Sequence, residues 1–258
     1  MSSRLPVRAV PSPNFGERAP GSRIEILLLH YTGMRSVAEA CDRLRDPAAE
    51  VSCHYLVDSD GAIIAMVPED KRAWHAGRGS WAGSGDVNSR SIGIEIHNPG
   101  HEHGYVPFPA IQMEAVRDLC RDILARHEIA PWNVLAHSDI APDRKADPGE
   151  LFDWGFLADS GIGLWVEPEP LQEDGAGGDE SLLAPGDVGA AVLDLQRQLA
   201  DYGYGVPLSG RFCALTRDVV MAFQRHFRPA RVDGVADRST RATLARLRAA
   251  RAALLGSG

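Results

Sequence analysis

The residues of this chain whose types and placement could do chemistry together are two histidines and an aspartate. His30 closes an apolar run, Ile24-Glu-Ile-Leu-Leu-Leu-His30, and His137 closes a shorter one, Asn133-Val-Leu-Ala-His137. Asp147 follows in the loop Ala141-Pro-Asp-Arg-Lys-Ala-Asp147-Pro-Gly149. Two imidazoles and a carboxylate are a donor set that holds a catalytic zinc ion and leaves its fourth position open, which is the equipment of a metal-assisted hydrolase. No compact motif such as HExxH contains them. They can act together only if the fold brings strand exits to one edge of a sheet. The spacing leaves a second reading open, since a histidine at a strand end is commonly just hydrogen-bonded or solvent-facing, and the chain has nine histidines.

The elements needed to position them are legible as periodicity. Ile24–Leu29, Ser91–His97 and Asn133–Ala136 read as buried strands. Ser52–Val57 and Ala62–Val67 flank Asp58-Ser59-Asp60-Gly61, a hairpin signal. Ser36–Leu44 looks helical. Gln112–His127 carries Val116, Leu119, Cys120, Ile123 and Leu124 at helical spacing, and Leu151–Leu157 is a short helix candidate. Strands interleaved with helices predict an α/β domain with a mixed central sheet flanked by helices, over residues 24–166. Residues 1–23, rich in Pro, Ser, Gly and Arg, read as an irregular arm, and 167–182 as an acidic Pro/Gly-rich linker. Three helical patterns near 189–202, 214–227 and 238–254 predict a small three-helix domain over 183–258.

Composition narrows the partners. A net charge of −8 over 258 residues disfavours nucleic acid, which needs a concentrated basic surface. No stretch approaches a membrane span. Cys41, Cys53, Cys120 and Cys213 have no CxxC spacing and read as free thiols, and the N-terminus lacks the apolar segment of a signal peptide. Together these predict a cytoplasmic protein.

Five segments carry a resemblance: Leu28-Leu-His30-Tyr-Thr32, Ser52-Cys-His54-Tyr-Leu-Val-Asp-Ser-Asp-Gly61, Ala73-Trp-His75-Ala-Gly77, Ser91-Ile-Gly-Ile-Glu95-Ile96, and Ala136 through Gly149. In this order they resemble the type 2 N-acetylmuramoyl-L-alanine amidases, the zinc amidase and peptidoglycan-recognition fold, over roughly residues 24–165. The resemblance implies one Zn2+ per chain on His30, His137 and Asp147, with Glu95 as catalytic carboxylate and Lys145 as the residue that stabilises the transition state. It puts His54 and His75 in segments lining the substrate cleft, with Asn98 as a further contact. Some relatives use Cys as third ligand, and Asp147 places this chain nearer the bacterial recycling and cell-wall amidases.

The implied chemistry is coherent. Zinc activates water and polarises the amide, and Glu95 can take the water's proton and return it to the leaving amine. Burial in an apolar strand should raise its pKa. Lys145 supplies positive charge to the developing oxyanion, an effect of ~3 kcal/mol. Arg144 reads as surface charge, and Asp139 as either a neighbour that tunes a histidine or a turn residue.

The C-terminal part, with Leu195-Gln196, Gly203-Tyr204, Gly210-Arg-Phe212, Phe223-Gln224 and Asp233-Gly234, resembles the three-helix peptidoglycan-binding domain type 1. The expected reaction is hydrolysis of the bond between N-acetylmuramic acid, or its 1,6-anhydro form, and the L-alanine of the stem peptide, in cell-wall recycling or turnover. The expected partners are peptidoglycan fragments or muropeptides, and the oligomeric state stays open. A catalytically silent peptidoglycan-binding or sensing protein is the competing expectation. A polymer-binding module in a cytoplasmic protein is a tension, resolved only if intact wall is reached by lysis or another export route.

Overall fold

The computed structural model describes residues 5–171 and 182–256. Most of the acidic linker expected over 167–182, namely 172–181, lies outside the described residues. The strands are β1 (Val7–Ala9), β2 (Phe15–Glu17), β3 (Ile26–Tyr31), β4 (Tyr55–Val57), β5 (Ile63–Ala65), β6 (Lys71–Ala73), β7 (Ser91–Ile96) and β8 (Val134–Ala136). The helices are α1 (Val37–Arg45), α2 (Val87–Arg90), α3 (Gly100–His103), α4 (Ala110–Leu124), α5 (His137–Ile140), α6 (Trp154–Asp159), α7 (Ala190–Tyr202), α8 (Ala214–Phe227) and α9 (Arg238–Gly256).

Six strands form one sheet in the order β1-β5-β4-β7-β3-β8, and β2 pairs with β6 beside it. Among the described residues the only antiparallel pair of the six-stranded sheet is the β4–β5 hairpin. The central strands β3 and β7 are buried on both faces, which is why they read as continuous apolar runs rather than alternating ones. On one face Leu27, Leu29, Ile92, Ile94 and Ile96 pack against Val116, Leu119, Cys120 and Ile123 of α4. On the other, Leu56 and Ile64 meet Ala40 and Leu44 of α1, while Leu28 and Leu135 join a core shared with α7, α8 and α9. Ser36 caps α1 by accepting the Glu39 N–H.

The arm differs from its expectation. The described part of it, residues 5–23, is not wholly irregular: β1 adds to the edge of β5, β2 pairs with β6, and Arg18 reaches the interior. Strands of three residues are too short for alternation to register in the sequence.

In the C-terminal helices the two landmark glutamines hold turns. Buried Gln196 accepts from the backbone of Ser209 and Gly210 and donates to the Arg211 carbonyl. Gln224 does the same for Asp233, Gly234 and Val235. These helices are seated on the α/β part: Trp81 packs edge-on against Tyr202 and Tyr204, and Ala82 N–H donates to Gly203.

Candidate metal centre and cleft

Adjacent parallel strands deliver the chemistry to one place, their carboxyl ends, where open α/β sheets hold ligands. His30 lies near the end of β3 and pairs in register with Glu95 of β7, so both side chains leave the same face. On the other side Leu29 is in register with Ala136, and His137 is the next residue, the first of α5. The Asp147 loop is tied down by its carbonyl, which accepts the Ser138 N–H of α5 at 3.1 Å.

His30, His137 and Asp147 thus converge, all buried, with candidate ligand atoms within 4.8 Å of one another. His30 Nδ1 lies 2.9 Å from His137 Nδ1 and 3.2 Å from Asp147 Oδ2, and His137 Nδ1 lies 3.0 Å from the same oxygen. Neighbours fix the tautomers. His137 Nε2–H donates to the Ala76 carbonyl at 3.1 Å. His75 Nε2–H donates to Ser91 Oγ, whose own proton goes to the Val87 carbonyl, so His75 Nδ1 accepts from His30 Nε2–H at 3.0 Å. Both Nδ1 atoms therefore present lone pairs to each other and to a carboxylate. Three acceptors facing one another repel, and a divalent cation relieves the repulsion; a two-nitrogen, one-oxygen set suits zinc.

Electrostatics follow the same geometry. Burial and the neighbouring His137 push the His30 imidazole down to about 4. Burial alone would raise the Asp147 carboxyl, but His137 and His30 together hold it below the usual range. Burial, then the charge of Asp147, raises Glu95 well above an ordinary carboxylate, with Lys145 opposing. Glu95 Oε2 is buried and has no hydrogen-bond partner among the described residues. Glu95, His137, Asp147 and Lys145 line a cleft of about 520 Å³ whose walls include Tyr31, Arg43, Trp74, His101 and Arg144.

Other expected contacts fall elsewhere. His54 is fully buried and outside the cleft lining: its Nδ1 accepts the Gly93 N–H at 2.9 Å, which leaves Nε2–H for the Lys71 carbonyl at 3.1 Å. Asn98 is also buried, donating to the Val106 carbonyl and accepting the Gly100 N–H. The side chains of both are engaged inside the fold, so the geometry lends their expected substrate-contact role no support. His75 borders the cleft but stands behind His30, its nitrogens occupied by His30 and Ser91. Arg144 is exposed, as a surface charge should be, and its guanidinium grips the carbonyls of Ala76 and Arg78. His101 joins Tyr31 Oη at 2.9 Å and the Glu150 carboxylate at 3.2 Å on the cleft wall. Asp139 is wholly buried, held by the N–H of Ala136 and by two partners from the C-terminal part, Tyr204 just after α7 and His226 of α8.

Residues 20–150 match the family model of the N-acetylmuramoyl-L-alanine amidases. AmiD of Escherichia coli K12 is 40% identical over 237 residues, covering 85% of this chain and 80% of AmiD. The chain belongs to the N-acetylmuramoyl-L-alanine amidase family. A second model, for a peptidoglycan binding domain, matches residues 188–244 of this amidase. The enzyme is also 32% identical to the 1,6-anhydro-N-acetylmuramyl-L-alanine amidase AmpD of Salmonella typhimurium SL1344, over 57% of this chain and 86% of AmpD. Its fold superimposes on E. coli AmiD in complex with anhydro-N-acetylmuramic acid-L-Ala-D-gamma-Glu-L-Lys, with a TM-score of 0.72 at 35% identity, covering 91% of this chain and 96% of AmiD. It also superimposes on AmpDh3 of Pseudomonas aeruginosa, with a TM-score of 0.71 at 29% identity, covering 96% and 98%. No helix among the described residues of the amidase is long and apolar enough to cross a membrane.

Proposed function

We propose that this amidase is zinc-dependent, with His30, His137 and Asp147 as ligands, and that it cleaves the bond between 1,6-anhydro-N-acetylmuramic acid and L-alanine during peptidoglycan recycling or turnover. The observation that carries the metal reading is the convergence of three acceptor atoms whose tautomers are set from behind. The substrate reading is supported by relatives crystallised with anhydromuramyl peptides. Residues 24–166 serve as the catalytic domain and 183–258 as the peptidoglycan-binding part.

When bound, zinc supplies a Lewis acid that lowers the pKa of water to about 7 and polarises the amide carbonyl. The chain's own residues do the rest. Glu95 takes the proton of the attacking water, for which its unpartnered Oε2 and raised pKa suit it, and hands that proton to the departing amine. Lys145 lines the same cleft and supplies positive charge to the carbonyl oxygen as negative charge develops there. The stem peptide leaves with a free amino terminus and the muramic acid with a free carboxylate.

Incubating the purified enzyme with 1,6-anhydro-muropeptides and, separately, with sacculi tests this reading. Release of stem peptide is expected from the anhydro substrate, abolished by chelator and restored by zinc. Zinc-loaded, folded enzyme that releases no peptide from the anhydro substrate would sink it. Faster release from sacculi would move the substrate from recycled fragments to the wall itself.

A further inference from the structure

Asp139 sits two residues beyond His137 on the same one-turn helix, and its carboxylate is completely buried. Three donors surround it. Ala136 N–H reaches Oδ2 at 2.8 Å, the return arm of a helix-start cap. Tyr204 Oη–H reaches Oδ1 at 2.7 Å and His226 Nδ1–H reaches Oδ2 at 2.6 Å. Tyr204 follows α7 and His226 belongs to α8, so both come from the C-terminal part. Both are buried in turn: Tyr204 lies edge-on to Trp81, and the His226 ring is stacked between Trp154, at 3.7 Å, and Phe227, at 3.8 Å.

We propose that Tyr204 and His226 are positioning residues for the metal ligand His137, acting through the carboxylate of Asp139. A helix of four residues cannot hold its own orientation, because one turn does not offset the cost of nucleating it. Its placement comes from what grips it. At its start Ser138 N–H binds the Asp147 carbonyl, and at its third residue Asp139 binds the two C-terminal donors. Moving α5 therefore shifts His137 directly and the Asp147 loop through Ser138. A carboxylate buried without donors is unstable, so the pull of Tyr204 and His226 on Asp139 is strong and directional. The C-terminal helices are thus part of the metal centre's support, in addition to any hold they have on glycan.

The inference rests on the metal reading above, and the test separates the two. Tyr204→Phe removes one donor and keeps the ring against Trp81. His226→Phe removes the other and keeps the stack. Leu199→Ala weakens the same shared core without touching Asp139 and serves as the control for lost stability. Each full-length protein is titrated with zinc against a chromophoric chelator below its melting temperature, and the cobalt(II) absorption spectrum is recorded as a report on ligand geometry. Loss of a partner behind a metal ligand lowers affinity by about 10–100-fold. That loss, with an altered cobalt spectrum, is expected in both aromatic variants, while Leu199→Ala melts lower but binds zinc like the wild type. Wild-type affinity and spectrum in Tyr204→Phe and His226→Phe would overturn the proposal and leave the contact as domain packing alone. If His226→Phe does not fold, Tyr204→Phe decides by the same readings. A wild-type protein that takes up no zinc would instead overturn the metal reading.

Discussion

A methyl group at position 93 should damage the metal centre although Gly93 touches no ligand. The Cβ of an alanine there would lie 2.4 Å from Cγ and Nδ1 of His75 and 2.6 Å from its Cδ2. Ordinary carbon contacts are about 3.5–4.0 Å, so the ring must retreat by more than an ångström. It has nowhere cheap to go, being bonded to His30 on one side and to Ser91 on the other. Overpacking of this kind costs about 1–3 kcal/mol. Leaving the buried His30 Nε2–H without its acceptor costs about another 1–3 kcal/mol. The midpoint, about 4 kcal/mol, corresponds to a melting temperature roughly 12 °C lower for a protein of this size. Zinc affinity should fall with it by about tenfold or more, because His30 loses the partner that fixes its tautomer. Thermal melts in chelator and a zinc competition titration measure the two effects. In the double variant with His75→Ala the clash disappears but the zinc defect stays, so the two changes are non-additive in stability. A Gly93→Ala protein that melts within about 2 °C of wild type and binds zinc normally would refute the reasoning.

Other perturbations address separate parts of the site. Glu95→Gln should lower kcat by about 10²–10⁴ while zinc affinity stays within a few-fold, and near-normal turnover would remove Glu95 from the proton transfer. Lys145→Ala should lower kcat by about 10²–10³ with little change in zinc binding; unchanged kcat would mean that the charge is not used at the oxyanion. Burial, helped by Arg18, pushes His54 down to about 3, whereas in the unfolded chain it titrates near 6.5. Between those values the unfolded state binds a proton that the folded state refuses, so this contribution to stability is lost as pH falls from about 6.5 towards 3. A His54→Asn variant should therefore show a flatter fall in melting temperature across that window, and an identical slope would show that His54 is not responsible.

Where a segment was long enough to show its period, it could be read in advance. Val116 to Leu124 announced α4, and the apolar runs ending at His30 and His137 announced β3 and β8. The metal set was weaker evidence, because 107 residues separate His30 from His137 and only the register of neighbouring strands unites them. Local sequence could not say which way a polar side chain faces. His54, His75 and Asn98 lie in or beside motif segments, yet their atoms are taken by Gly93, His30, Ser91 and Gly100. Those partners come from other strands and loops, so the pairings exist only once the sheet has formed. Asp139 was ambiguous for the same reason: two of its three donors lie 65 and 87 residues away.

The arm has a consequence for where this enzyme can be cut. Recognisable amidase sequence begins at residue 20, and a chain started there would seem whole. It would lack β1, which covers the otherwise open edge of β5. It would also lack Arg18, whose guanidinium satisfies the carbonyls of Glu69, Asn88, Ser89 and Ser91. An uncovered strand edge invites pairing with other chains. Trimmed at the family boundary, the enzyme would keep every catalytic group and become prone to aggregate: residues 7–18 act as a seal on the sheet.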